Sequence, residues 1–146
     1  MAAERSAEVT WRGDLMSGAG RIERVGSGAI AGLDVTWAAR TEETSAGKTS
    51  PEELIAAAHA SCFSMALSHA LGQTGTPAEQ LEVTARTTFV PGTGITASAL
   101  DLTGTVPGLD EAAFRQAAEQ AKEDCPVSQA LQGNVEISLE ARLASA

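Results

Sequence analysis

Apolar positions alternate with polar ones near the start of the chain, and the alternation is broken repeatedly by glycine. This pattern predicts short hairpin strands over 7–13 (AEVTWRG) and 19–25 (AGRIERV), and a third strand over 33–40 (LDVTWAAR). The polar run TEETSAGKTS (41–50) then reads as a surface loop. After it the period changes. Ser50 is placed as an N-cap, Pro51 suits the first helical position, and Glu53 would complete a capping box. The helix so started extends to about Leu71, with Gly72 near its C-cap, and carries small or apolar residues around nearly its whole circumference. That predicts a central, buried helix.

Alternation returns at Leu81, Val83, Ala85, Thr87 and Phe89, then again over 94–106 beyond a Pro91-Gly92 turn. An amphipathic helix over 110–124 has Asp110 as N-cap and Phe114, Ala117, Ala118 and Ala121 on one face. A short helix is possible over 126–131, and a last strand over 134–143 alternates through Val135, Ile137, Leu139, Ala141 and Leu143. The expected fold is α+β, with antiparallel sheets and two main helices in a single domain over 1–146.

Composition narrows the function classes. A net charge of −9 leaves no basic patch to neutralise phosphates, so nucleic acid is not an expected partner. Residues 1–10 contain no apolar core of the kind a secretory leader has, and the apolar-biased stretch 54–72 is interrupted by Ser, His, Gly and Cys. No membrane association is expected, and the cytoplasm is the default location. No GxGxxG, GxSxG, HExxH or CxxC occurs.

The chain has 2 cysteines in dissimilar settings. Cys62 sits in mid-helix, away from the helix N-terminus that stabilises thiolates, and burial there would raise its pKa. A nucleophilic Cys62 therefore needs a cation from elsewhere. Arg40 is the leading candidate, ahead of Arg12, Arg21 and Lys48. Cys125 precedes Pro126 at the start of the short helix, where helix N-terminal amides would favour a thiolate modestly. Glu52 lies ten residues before Cys62, about 15 Å along the helix axis, too far to act on the thiol of its own helix. Two such helices packed antiparallel would bring Glu52 of one subunit near Cys62 of another, which predicts a dimer. His59 and His69 flank Cys62, but the offset of seven residues is too long for one metal ion, and His59 reads as a packed polar residue. From these residues alone, an inert pair of core cysteines stays open beside a reactive pair.

The segment TSPEELIAAAHASCFSMALS (49–68), together with CPVSQAL (125–131), resembles the OsmC/Ohr family of thiol peroxidases. AAHAxCFSMALS and CPVSxAL resemble the OsmC branch more than the Ohr branch, as do the TW-x-GD pattern at 10–14 and VPG-L-D at 106–110. The resemblance implies an intertwined homodimer with active sites at the subunit interface. It implies that Cys62 attacks the peroxide, that Cys125 resolves the sulfenic acid as a Cys62–Cys125 disulfide, and that Glu52 and Arg40 complete the site. Apolar walls that include Phe63, Met65 and Leu54 of one or other subunit would suit organic hydroperoxides as substrates better than hydrogen peroxide. Re-reduction would be by a dithiol such as lipoyl groups, with no metal, flavin or haem. A non-catalytic redox-sensing or stress-response binding protein of the same fold is the alternative.

Overall fold

The computed structural model describes residues 1–144. They group into two compact units, Met1–Leu54 and a second from Ile55 onward.

In the first unit, β1 (Ala7–Arg12), β2 (Ala19–Val25) and β3 (Ala31–Val35) form an antiparallel sheet in that order. Register places Val9, Ile22 and Leu33 in one row and Trp11, Gly20 and Val35 in the next. These rows share one face, because directly opposed residues in a sheet project to the same side. Gly20 is required there: a Cβ would lie 2.7 Å from Trp11 Cε3 and 2.8 Å from Val35 Cγ2. The opposite face is polar and crossed by the pairs Arg24–Glu8 (3.0 Å) and Arg21–Asp34 (2.7 Å). On that face Val9 is 60% and Trp11 40% exposed, while Ile22 of the central strand is buried.

The expected strand over 33–40 is corrected. The strand stops at Val35 and α1 (Trp37–Thr41) follows, because Thr36 caps it: its Oγ1 accepts from Ala39 N–H at 3.1 Å. The loop that comes next returns to β3, where Thr49 N–H donates to Asp34 carbonyl oxygen at 2.9 Å and Thr49 bridges Val35. That return sets the first turn of α2 (Pro51–Gln73). Ser50 accepts from Glu53 N–H at 3.1 Å, as an N-cap should, while the Glu53 carboxylate accepts from the Thr49 hydroxyl at 3.0 Å.

Helix α2 runs two residues beyond Leu71, so Gly72 is helical rather than a cap. It is long and apolar enough to cross a membrane by length and composition, yet it serves here as a core helix. The expectation of burial all round is corrected to a stripe: past its first turn only His59, Phe63, Leu67 and Leu71 are buried, while Met65 is 70% exposed. These four recur every four residues, one face of the helix.

The second sheet joins β4 (Gln80–Val90), β5 (Gly94–Thr105) and β6 (Glu136–Leu143), with β5 central. β4 and β5 are antiparallel, as expected, but β6 runs parallel to β5. A parallel partner needs a crossover, which α3 (Glu111–Asp124) and α4 (Pro126–Leu131) supply. Asp110 Oδ1 caps α3 by accepting from Ala113 N–H at 2.8 Å. Leu100 and Leu102 of β5 meet Phe63, Leu67 and Leu71 of α2 and Phe114, Ala118 and Ala121 of α3 in one cluster that includes Cys125.

Phe114 lies directly over Gly104, where a Cβ would fall 2.7 Å from its Cε1. Since Phe114 is fully buried, the ring has nowhere to move. Gly104→Ala is expected to lower stability by about 1–3 kcal/mol, the usual cost of overpacking a filled core. A chemical-denaturation midpoint unchanged from wild type would contradict this packing.

Candidate active site

Two pairs of the expected site residues come together. In the first unit, Arg40 occupies the last turn of α1 and Glu52 the first turn of α2. Arg40 Nε donates to Glu52 Oε1 at 2.9 Å and Oε2 at 3.1 Å, and Nη2 lies 2.8 Å from Oε1. The Glu52 side chain is only 9% exposed and that of Arg40 27%, so the pair is largely shielded from water. A carboxylate gripped by a guanidinium fork in this way fixes the direction of the guanidinium plane as well as its position. The Trp37 ring lies 5.9 Å below the Arg40 guanidinium carbon. This contact was hidden from the sequence reading, because residues three apart meet on a helix and not along a strand.

In the second unit, Cys62 of α2 and Cys125 at the α3–α4 junction are free thiols in mutual contact. Cys125 is at once the C-cap of α3 and the N-cap of α4: its N–H donates to Ala121 carbonyl oxygen at 2.9 Å, and its own carbonyl accepts from Gln129 N–H at 3.0 Å. Cys125 is fully buried while Cys62 is partly exposed, so Cys62 is the thiol that a reactant reaches first. Burial pushes the Cys62 thiol above its ordinary value, the Val127 N–H draws it back in part, and the neighbouring Cys125 raises it again.

The apolar walls expected from Phe63, Met65 and Leu54 need correction at Phe63. That ring is fully buried in the core cluster. Met65 is exposed and lines a surface cleft with Ser64, Ser68, His69 and Leu81.

The sequence reading did not find the network around His59. The ring is fully buried, with Nδ1 2.7 Å from Ser98 Oγ of β5 and Nε2 2.8 Å from Ser128 Oγ of α4. Both serines are themselves buried. His59 is thus the packed polar residue expected. Burial holds the imidazole below its ordinary value of 6.5. An unfolded chain would present this histidine to water at the ordinary value, so below about pH 6.5 the unfolded state binds the extra proton. Stability from this group is therefore complete above that pH and is lost as pH falls toward the folded-state value, with a slope of at most about 1.4 kcal/mol per pH unit. Denaturant midpoints taken between about pH 7.5 and 5.5 should fall for the wild type and fall less for His59→Gln; identical slopes would contradict the assignment.

The family described as OsmC-like protein matches residues 43–140, a span that holds Glu52 and both cysteines. Over 148 aligned positions the chain is 37% identical to "Peroxiredoxin OsmC" of Escherichia coli (strain K12), covering 99% of this chain and all of that one. Similarity to the "Organic hydroperoxide resistance protein" of Xanthomonas axonopodis pv. citri is lower, 29% over 62% of this chain and 65% of the relative. Among solved structures, the organic hydroperoxide resistance protein OhrB of Bacillus subtilis superposes with a TM-score of 0.66 at 26% identity, covering 94% of this chain and 98% of OhrB. The contact between Cys62 and Cys125, the two motifs that carry them and the end-to-end match to OsmC agree: this chain belongs to the OsmC-like family.

Proposed function

We propose that this protein is a thiol peroxidase that reduces organic hydroperoxides to alcohols, working as one OsmC-like domain over residues 1–146. The observation that carries this reading is the thiol pair, one sulfur accessible and one fully buried, in contact within a single core. The Cys62 thiolate attacks the outer peroxide oxygen; the S–O bond forms as the O–O bond breaks, and the alkoxide takes a proton to leave as the alcohol. Cys62 is then a sulfenic acid. Cys125 attacks its sulfur and expels water, leaving the disulfide. An external dithiol, such as a lipoyl group, exchanges with that disulfide and returns both cysteines to thiols.

Burial disfavours the thiolate that the first step needs, so a cation must offset it. Arg40 is proposed in that role, as the charge that stabilises the thiolate and polarises the peroxide, and Glu52 as the group that orients it. Glu52 and Cys62 lie ten residues apart on one helix, about 15 Å along its axis, and an antiparallel second copy of that helix would bring them together. That spacing supports a site completed by a second copy. So do the exposed apolar side chains Val9, Trp11 and Leu33 on the β1–β3 sheet, since exposed apolar surface of that kind suits an interface. The dimer is proposed on those grounds. Two resting thiols also suit the reducing cytoplasm, the proposed location.

Purified protein with dihydrolipoamide should consume cumene or tert-butyl hydroperoxide over many turnovers, and faster than hydrogen peroxide. Equal or faster use of hydrogen peroxide would contradict the substrate assignment. Oxidation that stops after one equivalent despite the dithiol would favour a redox sensor.

A further inference from the structure

The bond between His59 and Ser128 joins the two helical segments that carry the thiols. His59 lies three residues before Cys62 on α2, and Ser128 three residues after Cys125 in α4. Each end of this crossbar is therefore about one helical turn from the thiol on its own segment.

α4 depends on such a fastening. It is six residues long, and its N-cap, Cys125, makes no side-chain capping bond. A helix this short has little stability of its own. Two links run to it from α2: the Val127 N–H lowers the Cys62 thiol pKa from close by, and Ser128 meets His59. The first link involves a reacting atom, whose bonding changes when Cys62 becomes a sulfenic acid and again when it becomes a disulfide. The second involves no reacting atom. Ser98 holds the other ring nitrogen from β5, so the imidazole has three points of attachment and cannot swivel. Each serine hydroxyl can donate or accept by rotating, which keeps the buried ring satisfied in either tautomer.

We propose that His59 is a positioning residue for the resolving step: its bond to Ser128 holds α4 on α2 while Cys125 closes on the Cys62 sulfenic acid. The inference rests on the thiol peroxidase reading above. In the step concerned, the Cys125 sulfur bonds to the Cys62 sulfur, the S–O bond of Cys62 breaks, and the oxygen departs as water with the proton of the Cys125 thiol. Slow closure leaves the sulfenic acid exposed to a second hydroperoxide, which oxidises Cys62 to the sulfinic acid and is itself reduced to alcohol.

Rapid mixing with tert-butyl hydroperoxide separates formation of the sulfenic acid from closure of the disulfide. The side-chain lengths of asparagine and glutamine divide the two ring contacts: an asparagine amide reaches the Nδ1 position facing Ser98, and a glutamine amide the Nε2 position facing Ser128. Ser128→Ala and His59→Asn should slow closure between about tenfold and 10²-fold, with more sulfinic acid at Cys62, while the first phase changes much less. His59→Gln and Ser128→Thr should restore most of the closure rate. Equal slowing of both phases, or closure at the wild-type rate in folded Ser128→Ala, would overturn the inference. Should Ser128→Ala fail to fold, the two His59 variants decide: equal closure rates in them would overturn it. A wild-type protein that forms no disulfide at all would instead overturn the peroxidase reading on which the inference rests.

Discussion

Cys62→Ser abolishes hydroperoxide consumption, a loss on the order of 10⁴-fold or more, because an alcohol oxygen is scarcely ionised at neutral pH and cannot form the sulfenic acid. The substitution exchanges one small side chain for another at a partly exposed position. Stability should therefore move by no more than about 1 kcal/mol. An initial-rate assay with the denaturation curve beside it separates the chemical loss from misfolding. Cys125→Ser behaves differently: Cys62 is still oxidised by the first equivalent, but turnover fails and sulfinic acid accumulates. Residual turnover by Cys62→Ser at even a hundredth of the wild-type rate (about 10⁻²) would place the nucleophile elsewhere.

Arg40→Met should lower kcat/KM by about 10²–10³-fold, the range seen when one donor that stabilises a developing charge is removed. Two costs combine. The thiolate at Cys62 loses its proposed counter-charge, and the Glu52 carboxylate, 9% exposed, loses the guanidinium that satisfies both of its oxygens. Arg40→Lys keeps the charge but not the fork, and should fall between wild type and Arg40→Met. The rate of alkylation of Cys62 against pH gives an independent readout: the profile should move to higher pH in Arg40→Met. An unmoved profile with wild-type turnover would remove Arg40 from the site.

What could be read from the sequence, and what could not, divides along physical lines. The start of α2 was legible because its signals are local: Ser50, Pro51 and Glu53 act within one turn, and the Ser50 cap forms. The segment LDVTWAAR misled because its alternation suits a strand through Val35, while Thr36 uses its hydroxyl to start a helix instead. The alternation of β6 announced its two faces but not its direction, since a period of two is the same for parallel and antiparallel pairing. The nearly uniform apolar surface of α2 conceals which stripe turns inward, so the sequence does not separate Phe63, which fills the core, from exposed Met65. At the site itself, Cys62 and Cys125 announced themselves through their motifs. The pairing of Ser98 and Ser128 with His59 was not legible: they lie 39 and 69 residues from it, and although Ser128 belongs to the CPVSxAL motif, nothing local says which buried group its hydroxyl meets.

The central claim is that Cys62 and Cys125 perform successive steps on one hydroperoxide. The most direct measurement is peptide mapping by mass spectrometry after a single equivalent of cumene hydroperoxide, with and without subsequent dihydrolipoamide. The expected result is a Cys62–Cys125 disulfide that the dithiol reverses completely. Two free thiols after peroxide, or oxidation confined to one cysteine with no bond to the other, would contradict it.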